Sequence, residues 1–175
     1  MLVDGALAAG LAVFLLVGTY FASEGQPARR PFDAWTVVLL LVVAGALWVR
    51  RRYPVAVMGV VFAATLVYFA LGYANGPIWL ALVISYFTAV AQGHRVAAAV
   101  TAVIGFAIFP WLDFLLRDGD APSPVALAGL AAWLLVVLGA GEIVRIRREH
   151  VAEAARTHEE EARRRASEER LRIAR

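Results

Sequence analysis

The sequence predicts an all-α fold. A six-helix transmembrane bundle over residues 1–143 continues into one long, charged, coiled-coil-like helix over 144–175. Three observations carry this reading. The chain is 61% hydrophobic with a mean hydropathy of +0.69, whereas about half of a soluble domain is apolar. Six apolar segments alternate with short stretches of charge and of turn residues. From Glu142 to Arg175 the chain is mostly Arg, Glu and Ala, which form helix readily, with no Gly or Pro to stop it. At 1.5 Å per residue that stretch makes a rod of roughly 50 Å.

Span one covers Gly5 to Ala22 without a charge, near the lower limit of about 18 residues for crossing about 30 Å of hydrocarbon. The following loop, SEGQPARRPFD, ends in Asp33, a candidate N-cap. Span two runs from Ala34 to Val49 with Trp35 and Trp48 near its ends, as an interfacial belt requires. Arg50, Arg51, Arg52 and Tyr53 come next. Arginine costs about 2.5–3.5 kcal/mol at the centre of a bilayer, so this is a turn at a membrane face, and Pro54 suits the first position of a new helix.

Span three is Val55 to Leu71, closed by the uncharged turn GYANGP. Span four is Ile78 to Ala91, with Gly93 placed to terminate it. Span five is Val96 to Leu116. Ala97, Thr101 and Gly105 form a stripe that admits a neighbouring helix, and Pro110 predicts a kink near Trp111 and Asp113. Ser123 and Pro124 start span six as N-cap and first helical residue, and it runs from Val125 to Gly141 into the tail without a breaker.

Charge sets the orientation. The chain carries seventeen Arg and no Lys. Through Val144 there are seven Arg and seven acids, and beyond it ten Arg and seven Glu, so the net +3 lies in the tail. Six crossings put Arg50, Arg51, Arg52, Arg95, Arg145, Arg147 and Arg148 on one side, and the positive-inside rule makes that side cytoplasmic. Both termini are then cytoplasmic, and the lipid bilayer is the first partner. Interleaved Glu and the lack of a recognition motif argue against nucleic acid. Without Cys there is no disulfide and no thiolate chemistry. The first apolar stretch begins at Asp4 rather than with a basic region, so it reads as a spanning helix and not a signal peptide.

In the tail, Val144, Val151, Ala155, His158, Ala162, Ala166 and Ile173 fall on one broad, near-heptad stripe. A homodimer paired through this helix is one reading, although a two-stranded seam prefers Val, Ile and Leu to Ala. A single solvated helix held by Glu–Arg pairs of about 0.2–0.5 kcal/mol each is the other.

The run Glu168-Glu169-Arg170-Leu171-Arg172-Ile173-Ala174-Arg175 resembles the approach to the phosphoacceptor box of sensor histidine kinases of the nitrate-sensor/desaturase-sensor type. In that family Glu-Leu-His-Asp follows at once, and its His is phosphorylated. The membrane part is similar to the N-terminal region of such kinases from high-G+C bacteria, where an early Asp such as Asp4, an Arg-Arg-Arg-Tyr-Pro turn and an Arg-rich exit from the last span recur. The resemblance implies an input and transmission module, passing a membrane-sensed stimulus through span six and a dimeric helix to a kinase core. The 175 residues end before the His. ATP, Mg and the response regulator therefore belong to the kinase core implied beyond them, and no catalytic, cofactor or metal residue is expected here.

If a signal-binding cavity exists, Asp4, Asp113, Tyr20, Trp79, Tyr86 and Trp111 are its candidate lining. Against this stand ordinary roles: Asp4 at a helix start, Asp113 at the interface beside a kink, and the tryptophans as belt anchors. His94, His150 and His158 lack the i,i+4 spacing of a helical metal pair. A salt bridge from Glu142 to Arg145 is expected at the end of span six. Two other functions fit the pattern less well. A six-span transporter or channel wants charges or broken helices at mid-membrane. A scaffold would bind its partner through the tail alone.

Overall fold

The computed structural model describes the backbone at 2–117 and 119–173, and side chains at 9–117, 119–151, 153, 154 and 156. Seven α-helices follow one another: α1 (Leu2–Glu24), α2 (Ala34–Trp48), α3 (Pro54–Ala70), α4 (Ile78–Ala91), α5 (Arg95–Ile108), α6 (Leu112–Arg117) and α7 (Pro124–Ile173). A 3₁₀ turn, Phe109–Trp111, joins α5 to α6. The fold is all-α, with no strand among the described residues.

Local chemistry sets most boundaries. Asp33 caps α2 in a reciprocal box: its Oδ1 accepts from the Thr36 N–H at 2.9 Å, and the Thr36 hydroxyl turns back to the Asp33 N–H. Pro54 opens α3, and Ser123 Oγ accepts from the Ala126 N–H at 3.2 Å at the start of α7. Both α3 and α4 end in Schellman motifs, with Gly72 and Gly93 at φ +88°. The Tyr73 and Gly72 amides reach back to Tyr68 and Phe69, and the His94 and Gly93 amides to Ala89 and Val90. Pro110 breaks the fifth segment as expected: it has no N–H to donate, and the helix tightens to 3₁₀ before resuming as α6.

The same turns shorten the helices. Among the residues with described side chains, 95–117 and 124–151 are long and apolar enough to cross a membrane by length and composition, and the apolar stretches 9–24, 34–48, 54–70 and 78–91 are shorter. The sequence-based expectation of six crossings is thus met in length by two segments. Residues 49–53 and 71–77, spent on turns, take length from α2, α3 and α4.

Helix α4 sits at the centre and contacts α2, α3, α5 and α7. It buries Ala81, Leu82, Ser85, Tyr86, Ala89 and Val90. Stripes at helical spacing on α2 (Leu40, Val43, Leu47) and α3 (Val57, Val61, Tyr68) fill the rest of the core. The buried row on α5 is Ala98, Ala102 and Gly105. It is offset by one residue from the expected Ala97–Thr101–Gly105 stripe, and Thr101, half-buried beside it, donates its hydroxyl to the Ala97 carbonyl at 2.8 Å. Gly105 is the shared member: a Cβ there would stand 3.0 Å from the Phe62 ring of α3. Outside this core the helices remain apolar, and Leu135 is 71% and Val103 68% exposed.

Candidate functional site

Each end of the bundle carries its own polar assembly. At one end the α1–α2 loop, the α3–α4 turn and α6 meet. Arg29 donates to both Asp113 carboxylate oxygens, at 2.7 and 2.6 Å, and Arg117 pairs with the same carboxylate at 2.5 Å. The fork of a guanidinium matches the two carboxylate oxygens, which fixes orientation as well as charge. Arg117 also donates to the Phe69 and Ala70 carbonyls at the end of α3. Gly72, whose φ of +88° favours glycine, lies beneath this guanidinium, and a Cβ there would lie 2.9 Å from Arg117 Nε. Next to it, Arg30 donates to Asp33 Oδ2 at 2.8 Å through Nη2 and lies over the Tyr73 ring, 4.9 Å from its centroid. Tyr73 donates its hydroxyl to Asp33 Oδ1 at 2.7 Å. Burial pushes the Asp33 carboxyl up. The hydrogen bonds from Tyr73, the Thr36 N–H and Arg30 outweigh that and hold it at about 2.

At the opposite end the α2–α3 turn, the α4–α5 turn and the middle of α7 meet. Gln92 Nε2 donates to the Arg50 carbonyl at 3.3 Å. Glu142 of α7 receives Arg145 at 2.5 Å from its own helix and lies 3.7 Å from Arg95 at the start of α5. Arg145 reaches on to Glu149, also at 2.5 Å. The expected Glu142–Arg145 bridge is present, and α5 joins it.

Just before this junction α7 presses on α4. A Cβ on Gly141 would stand 2.8 Å from Val90 Cβ, so only Gly permits this approach. From Pro124 the α-helix runs without interruption through Gly141, past the ion pairs and on to Ile173. No coil or hinge separates the apolar segment from the charged one.

The candidate sensing residues are dispersed. Trp79 stacks on Phe69, 4.7 Å between centroids, and meets the Phe109 ring edge-on. Tyr86 is buried. These two help line a cavity of about 20 Å³, room for about one water and no ligand. Tyr20 is exposed, edge-on to Phe32, and Trp111 meets only Phe114 edge-on among the aromatic rings described. Asp113 is occupied by two arginines. The Asp4 side chain lies outside the described residues, as do those of Ala155, His158, Ala162 and Ile173 on the tail stripe. Of that stripe, Val144 is half-buried and Val151 is 70% exposed.

The larger cavity, about 960 Å³, lies elsewhere, between α1, α4 and α7. None of the described candidate sensing residues lines it, but three of the arginines expected at a membrane face do: Arg50, Arg51 and Arg148. Of the others in that set, Arg52 stacks on Tyr53 at 5.4 Å, Arg145 is held by Glu142 and Glu149, and Arg147 is exposed. Sequence reasoning passed over the cleft because its walls come from three helices that are not consecutive in the chain, α1, α4 and α7, and nothing local marks them. Compared with family models, with curated proteins and with solved structures, the chain finds no match.

Proposed function

We propose that this chain is the membrane input and signal-transmission module of a two-component sensor histidine kinase. It crosses the bacterial cell membrane six times with both termini in the cytoplasm. A stimulus at or in the membrane shifts α7, and α7 passes the shift as a lever, paired with its twin in a homodimer, to a kinase core beyond Arg175. That core would bind ATP and Mg, accept the phosphoryl group on its own His and hand it to a response regulator.

The observation that carries this reading is the continuity of α7 from Pro124 to Ile173. A push on the apolar half of a single helix reaches the charged half undamped, and a break would absorb it. Three further features support the membrane placement. Apolar side chains cover the outside of the bundle, as lipid-facing surface must. Trp35 and Trp48 are exposed at the two ends of α2. The connections alternate between two ends, with the Arg50–Arg52 turn, Arg95 and the Arg145–Arg148 run at the same one.

Reading the open frame past Arg175 tests the assignment. Glu-Leu-His-Asp followed by a dimerisation helix and an ATP-binding domain is the expected result. A stop codon at that point, or an unrelated domain, would overturn it.

A further inference from the structure

The cleft between α1, α4 and α7 has the chemistry of a lipid site. Its walls are apolar: Phe14 of α1, Ile84 and Phe87 of α4, and Val137 and Ala140 of α7. It runs along α4 from Leu80 to Gln92, about 18 Å at the helical rise, comparable with one leaflet's half of the about 30 Å of hydrocarbon. Phe14 and Leu80 are half exposed, so the cleft opens sideways as well as at its end. At that end stand Arg50, Arg51 and Arg148. Among the described residues Arg50 and Arg148 enter none of the ion pairs, whereas Arg95 and Arg145 are taken up by Glu142 and Glu149.

We propose that this cleft binds an anionic phospholipid of the cytoplasmic leaflet, an acyl chain lying along α4 and the phosphate held among Arg50, Arg51 and Arg148. The proposal rests on the six-crossing orientation given above, which puts these arginines at headgroup depth. Guanidinium groups match phosphate oxygens by fork geometry, and the cytoplasmic leaflet supplies the anion. Charge disfavours a second copy of the chain in this place, because it would bring the same arginine-rich end to the same mouth. An occupant also touches the lever: Val137 and Ala140 of the cleft wall lie within one helical turn or so of Gly141, where α7 bears on Val90. Lipid composition in the inner leaflet would thereby bias the position of α7.

The test uses the full chain reconstituted in nanodiscs containing equal phosphatidylglycerol and phosphatidylcholine, then released for native mass spectrometry. Wild type should retain phosphatidylglycerol preferentially. The preference should fall about fivefold for each arginine changed in R50Q, R51Q and R148Q, while R52Q, outside the cleft, leaves it unchanged. Gly10 lines the cleft with open space beyond it, and G10L should displace lipid of either headgroup without disturbing the fold. Equal retention in wild type and the triple variant, or an equal loss in R52Q, overturns the proposal. So does a change in oligomeric state rather than lipid retention in G10L, which would assign the cleft to a second copy. Displacement by millimolar inorganic phosphate, leaving G10L without effect, would assign the arginines to a soluble anion and also overturns it. Carbonate extraction of the same protein separates the two readings. Release from the membrane refutes the membrane placement itself, whereas retention with indifference to headgroup refutes the lipid site alone.

Discussion

Arg29 grips Asp113 across 84 residues of sequence, with one guanidinium nitrogen on each carboxylate oxygen at 2.7 and 2.6 Å. This pair ties the α1–α2 loop to α6, and Arg117 ties the same carboxylate to the end of α3. Asp113 is thus a bracket that closes one end of the bundle on itself. Removing it leaves two arginines facing each other without their anion. D113N should cost about 1–2 kcal/mol, the lower part of the range for charge-assisted hydrogen bonds because the pair is only half-buried. Unfolding in detergent measures this. The R29A/D113N double variant should lose less than the sum of the singles, because the two share one interaction.

Acid should loosen the same end of the molecule. Asp33 is held at about 2, below its ordinary 3.8. A carboxyl depressed in the folded state contributes stability that is whole above its ordinary value and is lost as pH falls toward its folded one. Melting temperature should therefore decline between about pH 4 and 2, and D33N should flatten that part of the profile while lowering stability at pH 7. Parallel pH profiles of wild type and D33N would detect the contrast.

The seam between α4 and α7 has no room for a side chain at Gly141. G141L should destabilise by about 1–3 kcal/mol through overpacking against Val90. Two residues earlier, Gly139 has nothing within 4 Å of the position a Cβ would take, so G139L should be nearly neutral. If both variants melt alike in a thermal scan, the seam is not where α7 bears on the bundle.

The caps were legible in the sequence, and the ties between helices were not. Asp33, Gly93, Pro110 and the Ser123–Pro124 pair act on their own few residues, so their chemistry predicts their geometry directly. The length of α7 was legible for the same reason, since no residue between Pro124 and Ile173 opposes helix enough to stop it. The Arg29–Asp113 grip, the Gly141–Val90 seam and the cleft lined by Arg50, Arg51 and Arg148 depend on which helices become neighbours. In an apolar chain almost every face of every helix qualifies for burial, so periodicity says little about pairing. Hence the seam on α5 was misplaced by one residue, at Ala97 and Thr101 instead of Ala98 and Ala102. For the same reason the proposed sensing residues proved scattered: aromatics in such a chain serve core and belt alike.

The absence of Cys makes topology directly measurable. Single cysteines at Gly25 and Ala121 should react with a membrane-impermeant maleimide in intact cells. Cysteines at His94 and His150 should react only after permeabilisation. All four positions are exposed, so burial does not confound the result. The reverse pattern would invert the orientation, and mixed labelling within one end would contradict six crossings.

The most direct test of α7 as a lever is a phase scan. One to seven alanines are inserted after Ala154 in the protein extended through the proposed kinase core, and autophosphorylation is measured in membranes. A rigid helical lever turns its output by about 100° per inserted residue. Activity should therefore rise and fall with a period near 3.6 residues, returning toward the starting level at four and at seven. Activity that stays level across the series, or declines steadily with length, would contradict transmission through an unbroken helix.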